Sequence, residues 1–217
     1  LRLLAPVIPS KVYGLAKNYE AHAQFMHESG HSEIAHAPED MVIFSKPSTS
    51  VIGPDDPIVI PSYSNDMNFE PEVAVIMGRI AKNVPVEKAM DYVLGFTCVN
   101  DVTLRDLQGL DPMWTRAKGF DTSCPLGPWI QTELDWKDAK ISFTLNGEDV
   151  PMASGTTANL IHGIPEQIAA ISSFSTLLPG DVIMTGTPNA SGHLDPGDEP
   201  IVHVAGIGSL RNVVVRG

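Results

Sequence analysis

The sequence predicts a mostly β fold with short peripheral helices, and three observations carry that expectation. Short β-branched and apolar runs recur along the chain. The 18 Pro and 18 Gly residues are spread between them rather than gathered into a linker. Asn146-Gly147 separates two of the runs by the spacing of a tight two-residue hairpin.

Taken in order, strands are expected over residues 11–15, 41–45, 57–60, 70–77, 94–99, 140–145, 181–184, 200–204 and 209–215, each a run bounded by turn-forming residues. The run 73–77 is wholly apolar and stops at Gly78, the pattern of a buried strand ending in a turn. Helices are few: residues 18–26, 86–92 and 165–174, the last with Ile168 and Ile171 facing the core, and a short one over 102–108. There is no repeat and no low-complexity segment. A length of 217 residues fits a single domain with an ample core.

Composition narrows the class of function. With 43% hydrophobic and 18% charged residues the chain reads as an ordinary globular protein. A formal charge of −12 argues against nucleic acid or an anionic membrane as partner, so small anions must be drawn by a local cationic site. Cys98 and Cys124 form no disulfide framework, and a reducing cytoplasm fits. No run approaches a spanning helix, and the N-terminus carries no basic region followed by an apolar core.

The chemistry centres on Glu70-Pro71-Glu72. Alternation along a strand puts Glu70 and Glu72 on one face and Phe69, Pro71 and Val73 on the other. Paired carboxylates at a buried strand need a compensating cation. Asp101 offers a third carboxylate at the exit of the next apolar run, and Asp101, Arg105 and Gln108 follow the i, i+4, i+7 rhythm of one helix face. Three hard oxygen ligands suit Mg²⁺ or Mn²⁺ better than zinc. Lys118 adds a cation.

Four of seven histidines crowd into the polar stretch from Asn18 to Pro38. His27-Glu28-Ser29-Gly30-His31 matches His-Glu-x-x-His, which on a helix would make a zinc peptidase site. Ser29 and Gly30 weaken such a helix, and the extended form of the motif would want Gly and His where Ile34 and Ala37 stand.

Glu-x-Glu on a strand, Asn-Asp-x-x-x-Arg-Asp-x-Gln from Asn100 to Gln108, Lys118-Gly119-Phe120-Asp121-Thr122, Pro125-Leu126-Gly127-Pro128-Trp129 and Thr185-Gly186-Thr187-Pro188 occur in this order. Together they resemble the fumarylacetoacetate hydrolase family over nearly the whole chain, from about Val12 to Val214. The resemblance implies a mixed β-sandwich roll, a homodimer, and a small N-terminal domain that precedes this point in many bacterial relatives. It makes Glu70, Glu72 and Asp101 the ligands of Mg²⁺ or Mn²⁺, and Arg105, Gln108, Thr187 and Lys46 the binding residues for a small 2-oxo acid. Lys118 becomes a catalytic cation. His22 falls on the family's lid motif, Asn-Tyr-x-x-His-x-x-Glu, whose His and Glu activate water over the bound substrate. Here the Glu position is Phe25, so the dyad carboxylate has to come from Glu20 or Glu28 in a shifted lid.

That departure shapes the expected reaction. Hydrolysis of an acylpyruvate or fumarylpyruvate needs water activated by a base, whereas oxaloacetate loses carbon dioxide without a nucleophile. Decarboxylation of oxaloacetate to pyruvate is therefore expected. The alternatives are acylpyruvate hydrolysis and isomerisation or decarboxylation of 2-hydroxyhepta-2,4-diene-1,7-dioate in aromatic catabolism. The stretch 18–38 is expected to be a mobile lid, because it is polar, contains Gly30 and lacks an apolar stripe.

Overall fold

A computed structural model of the chain describes residues 2–33 and 36–217. The architecture is mostly β. A seven-stranded sheet runs in the order Val42–Lys46, Val12–Ala16, Val182–Met184, Pro71–Met77, Val93–Asn100, Cys124–Gln131, Val51–Ile52. It is mixed: Val182–Met184 lies parallel to Val12–Ala16 and antiparallel to Pro71–Met77. A second sheet, built on Lys140–Leu145, Pro200–Val204 and Gly208–Arg211, packs against Pro71–Met77 and Val93–Asn100. Among the described residues no helix is long and apolar enough to cross a membrane.

The strand Pro71–Met77 is apolar throughout residues 73–77 because both its faces are covered. Val73, Val75 and Met77 join Ile141, Phe143, Val202 and Leu210 in the core between the two sheets. Ala74 and Ile76 point the other way, into a smaller core with Val12, Phe44, Val182 and Met184. A continuous apolar run is what such a strand requires. Truncating fully buried Ile76 to Ala would cost about 2–5 kcal/mol.

The hairpin forms where Asn146-Gly147 places it. Both residues adopt left-handed φ, 55° and 82°, and Leu145 pairs with Glu148. Helix Ile164–Phe174 buries Ile168 and Ile171 and packs on Val86–Tyr92, which is a 3₁₀ segment.

Several expected elements differ. The strand expected over 209–215 is two, Gly208–Arg211 and Val213–Arg216. Between them Asn212 is buried and its amide donates to the carbonyls of Gly53 and Asp56, both at 2.9 Å, which turns the chain from the second sheet into a parallel pair with Pro57–Ile60. The strand Cys124–Gln131 was not expected because it holds Pro125 and Pro128. Its pairing with Val93–Asn100 shifts register between Phe96 and Cys98, next to the prolines, where a missing N–H is tolerated. The helix expected over 102–108 begins only at Arg105, because Thr103–Leu104 is drawn into a small sheet with Met67–Phe69.

The helix expected from residue 18 spans Glu20–Glu28. It does carry an apolar stripe: Tyr19, Ala23 and Met26 are buried on the face that also buries His22. Ile34 and Ala35, within the expected lid, lie outside the described residues.

Candidate metal centre

The acidic cluster follows from strand register. Pro71 opens its strand and pairs with Asn100, the last residue of the neighbouring antiparallel strand, so Glu70 and Asp101 lie one step beyond the paired ends. Two hydrogen bonds staple that step: Glu70 N–H donates to Asn100 Oδ1 and Asp101 N–H donates to Glu70 O, both at 2.9 Å. Glu72 shares the Glu70 face by alternation. The result is three buried carboxylates whose ligand oxygens all lie within 4.8 Å of one another.

The third wall comes from the distant strand Val182–Met184. Met184 pairs with Ala74, which brings Gly186 alongside Glu72, and Gly186 N–H donates to Glu72 Oε2 at 2.7 Å. Gly186 holds φ at 104°, a conformation natural to glycine, and a Cβ there would press on Asn18. Asn18 in turn donates to the carbonyls of Thr185 and His162 and accepts from His162 N–H.

Cations are placed unevenly. Lys118 Nζ donates to Glu70 Oε2 at 2.7 Å and Asp101 Oδ2 at 2.5 Å, and lies over the Phe44 ring. Arg105 donates to Glu70 Oε1, to Gln108 Oε1 at 2.7 Å and to Ser191 Oγ at 2.8 Å. Burial works against ionisation of Glu70, but Arg105 and Lys118 outweigh it and hold the carboxyl well below its usual range. Burial likewise pulls Lys118 down, and Asp101 and Glu70 outweigh it, so its ammonium is held above the ordinary lysine value. Glu72 is different. Burial, reinforced by Asp101 and Glu70, pushes its pKa well up.

The donor set fits a hard divalent cation. Three carboxylate oxygens converge, and Glu72 is paired with a backbone N–H while its charged neighbours Asp101 and Glu70 repel it. A dication between them removes that repulsion and matches the oxygen chemistry of Mg²⁺ or Mn²⁺. Glu70, Glu72 and Asp101 are the residues that would hold it.

A cavity with about 600 Å³ of empty space, part of it open to solvent, lies against the cluster. Glu70, Glu72, Asp101, Arg105, Gln108, Lys118, Thr187 and His22 all line it, with Phe44, Trp114 and Met26 as apolar walls. His22 comes from helix Glu20–Glu28 and its Nδ1 lies 2.6 Å from the Asn189 carbonyl, an acceptor, so Nδ1 carries the hydrogen and Nε2 the lone pair. Burial pushes the His22 pKa down to about 4.

Two expected site residues lie elsewhere. Lys46 does not line the cavity. It is buried behind Asp101, its Nζ 2.8 Å from Asp101 Oδ1. Glu28 is exposed and outside the cavity, because six positions beyond His22 lie about 120° round a helix. Glu20, the other carboxylate considered for the dyad, accepts from His36 and from Ala37 N–H. Beside His22 stands Phe25, its ring centroid 6.5 Å away and the planes 26° apart.

The zinc peptidase reading fails on geometry. The helix closes at Glu28 in a Schellman turn: Gly30, at φ 78°, donates to His27 O, and His31 N–H donates to Met26 O. His31 thus belongs to the turn and lines the cavity, while His27 is exposed and bonded to Ser32 O. Among the described residues the acidic trio is the one cluster with metal-ligand geometry.

Sequence reasoning did not single out Ser123, Asn189 or Ser191, each of which acts through a hydrogen bond to a residue far away in sequence. Asn100 and Gly186 had a local signal, each lying inside a quoted motif, but no role was read for either.

The model of the fumarylacetoacetate hydrolase C-terminal family matches residues 11–215. A rat protein, oxaloacetate tautomerase Fahd2a, mitochondrial, is 38% identical over 224 residues, covering 98% of this chain and 69% of its own. The crystal structure of 5-carboxymethyl-2-hydroxymuconate delta-isomerase from Mycobacterium smegmatis superposes with a TM-score of 0.89 at 46% identity, covering 100% of this chain and 82% of that one. Fumarylpyruvate hydrolase from Pseudomonas aeruginosa, solved with Mn²⁺ and pyruvate, gives a TM-score of 0.85 at 29% identity, covering 95% and 90%. With one family model spanning almost all of its length and relatives this similar, the chain belongs to the fumarylacetoacetate hydrolase family.

Proposed function

We propose that the protein cleaves or rearranges a small 2-oxo acid through its enolate, with decarboxylation of oxaloacetate to pyruvate and carbon dioxide as the preferred reaction. One observation carries this reading: the cavity wall gathers three buried carboxylates, Lys118, Arg105 and Gln108, yet among the described residues His22 is hydrogen-bonded to the Asn189 carbonyl and stands beside Phe25, with no carboxylate outside the acidic trio next to it. Held by Glu70, Glu72 and Asp101, Mg²⁺ or Mn²⁺ supplies Lewis acidity toward a substrate carboxylate and its C2 carbonyl.

The chain's own residues do the rest. Arg105 and Gln108 orient the substrate carboxylate, with Thr187 completing the wall next to Gly186. Lys118, kept protonated by Asp101 and Glu70, offsets charge as the C3–C4 bond breaks and delivers a proton to C3. Apolar Phe44, Trp114 and Met26 limit water at the reacting carbons. Phe25 in place of a carboxylate leaves His22 without a partner to activate water, which disfavours hydrolysis of acylpyruvates.

A second reading, rearrangement without C–C cleavage, is favoured by the names of two relatives, a tautomerase and a delta-isomerase. His22 supports it, because Nδ1 is committed to Asn189 and Nε2 is left to accept and return a proton at C3. One experiment separates the readings. Metal-stripped protein, with and without Mg²⁺ or Mn²⁺, is given oxaloacetate, an acylpyruvate and a muconate-type diacid, and pyruvate release and keto–enol exchange are followed separately. Metal-dependent pyruvate release from oxaloacetate supports decarboxylation, whereas release from the acylpyruvate alone would mark hydrolysis and overturn the preference for decarboxylation. Exchange without release supports tautomerisation, and no metal-dependent turnover of any substrate overturns both.

We further propose that the segment from about Asn18 to Pro38 acts as a lid, supported by His22, Met26 and His31 lining the cavity. Unchanged amide exchange in this segment when oxalate is added would count against it. A homodimer is supported by family resemblance and by exposed Leu110 and Met113, and sedimentation tests it. A cytoplasmic location is supported by two buried free thiols.

A further inference from the structure

The buried lysine behind the acidic cluster has no part in the chemistry described above. Lys46 ends the strand Val42–Lys46 and is 1% exposed. Its Nζ lies within hydrogen-bond reach of Val102 O at 3.1 Å, Lys118 O at 2.6 Å, Ser123 O at 2.9 Å and Ser123 Oγ at 3.1 Å, and 2.8 Å from Asp101 Oδ1. An ammonium has three hydrogens, so five oxygens share them and none is left for a substrate.

Those oxygens come from three separate stretches of chain. Asp101 and Val102 leave the strand Val93–Asn100, Lys118 ends the helix Thr115–Lys118, and Ser123 precedes the strand Cys124–Gln131. Ser123 Oγ also donates to Lys118 O at 2.7 Å, so the two carbonyl-bearing segments are tied to each other as well as to Lys46. Both residues that meet at the cluster, Asp101 and Lys118, are thus held from behind by one charge.

The two oxygens of Asp101 are divided by this arrangement. Oδ1 faces Lys46 and Oδ2 faces Lys118 Nζ at 2.5 Å on the cavity side. We propose that Lys46 is a positioning residue, whose ammonium fixes the Asp101 carboxylate so that a single oxygen is presented to the divalent cation. The inference rests on the metal-dependent reading of the site. Partners behind a metal ligand commonly change affinity by 10–100-fold when removed, so the effect is large enough to measure.

The experiment uses the full chain stripped of metal and titrated with Mn²⁺, free ion being counted by its electron paramagnetic resonance signal. Wild type is expected to take up one Mn²⁺ per chain. Lys46→Met is expected to bind Mn²⁺ roughly 10–100-fold more weakly and to change the signal of the bound ion. Ser123→Ala keeps the charge and removes one of the oxygens, and is expected to weaken binding measurably, by about twofold or more but less than Lys46→Met does; it carries the test if Lys46→Met does not fold. At saturating Mn²⁺ the KM for a 2-oxo acid should stay within about twofold of wild type while kcat falls, the pattern of a residue that never touches substrate. Folded Lys46→Met, or failing that Ser123→Ala, with wild-type Mn²⁺ affinity and signal overturns the proposal, as does a rise in KM with unchanged Mn²⁺ binding. Wild type that binds no Mn²⁺ overturns both this inference and the metal-dependent reading beneath it.

Discussion

Replacing Glu72 by Gln separates the charge of the acidic cluster from its shape. Ligand oxygens in the cluster lie within 4.8 Å of one another, and two full charges at that distance repel by about 3.5 kcal/mol at an effective dielectric of about 20. Glu72 faces a backbone N–H rather than a cation, and burial together with Asp101 and Glu70 raises its pKa, which favours a proton on it in the metal-free protein. Gln has nearly the shape of that protonated carboxyl. Metal-free Glu72→Gln should therefore melt within about 2 °C of wild type, the size of shift left by a change of about 0.5 kcal/mol. Metal should reveal the difference. At a hundred times its Kd, Mn²⁺ stabilises wild type by about 2.7 kcal/mol, which in a chain of this length raises Tm by roughly 5–11 °C. If the lost anionic ligand weakens affinity 100-fold, the same Mn²⁺ concentration supplies only about 0.4 kcal/mol, or about 1–2 °C. Thermal melts of metal-stripped protein with and without Mn²⁺ measure all four values. A variant that melts far below wild type without metal, yet gains the full shift with it, would refute the reasoning and make Glu72 a structural carboxyl.

Three further outcomes follow from other parts of the molecule. Phe25→Glu places a carboxylate where a ring now stacks on His22; it should raise the His22 pKa from about 4 and increase acylpyruvate hydrolysis by up to 10²–10⁴-fold, with oxaloacetate decarboxylation changing less, and an unchanged ratio of the two activities would refute it. Asp181 accepts from Lys11 Nζ at 2.5 Å, Ser10 Oγ at 2.7 Å and Leu178 N–H at 2.7 Å; burial acts to raise its pKa, but these partners prevail and it is lowered. Its stabilising contribution is complete above the unfolded value and is lost as pH falls through the lower folded value, so Asp181→Asn should cost about 2–3 kcal/mol at neutral pH and progressively less in acid, read from urea melts across pH. Cys98 and Cys124 are buried, and burial pushes both thiols up to about 12, so a thiol reagent at neutral pH should label neither in the native protein and both in denaturant.

Much of the site was legible because its geometry is local. Glu70 and Glu72 obey the two-residue alternation of a strand, and Asp101 stands at the end of the next one, so their convergence needed only that the two strands pair. Arg105 and Gln108 were read from a helical rhythm starting at Asp101, whose premise fails because Thr103–Leu104 is a strand, and the resemblance pointed to them and to Lys118 independently. Lys46 was misplaced for a physical reason: sequence shows a cation near a strand end but not which of its neighbours will claim it. The apolar stripe of helix Glu20–Glu28 was hidden because it is built from Tyr19, His22, Ala23 and Met26, of which only Met26 is a strongly apolar side chain free of any polar group larger than a thioether, Ala23 being small. The Pro-containing strand Cys124–Gln131 broke the usual composition of a strand, and a register shift in its pairing is what allows it.

The place of Val182–Met184 in the large sheet has a consequence for the order in which the protein is made. All three carboxylates leave the ribosome well before this strand, but it is the strand that lies between Val12–Ala16 and Pro71–Met77 and delivers Gly186 to Glu72. Until it arrives, the two earlier strands have no partner between them, and the acidic residues project from an unfinished sheet edge. Assembly therefore waits on a contact between distant parts of the chain, the kind that slows folding and leaves edges exposed meanwhile. A chain ending before Asp181 would keep every acidic ligand and still be unable to bind the cation in the manner of the whole protein.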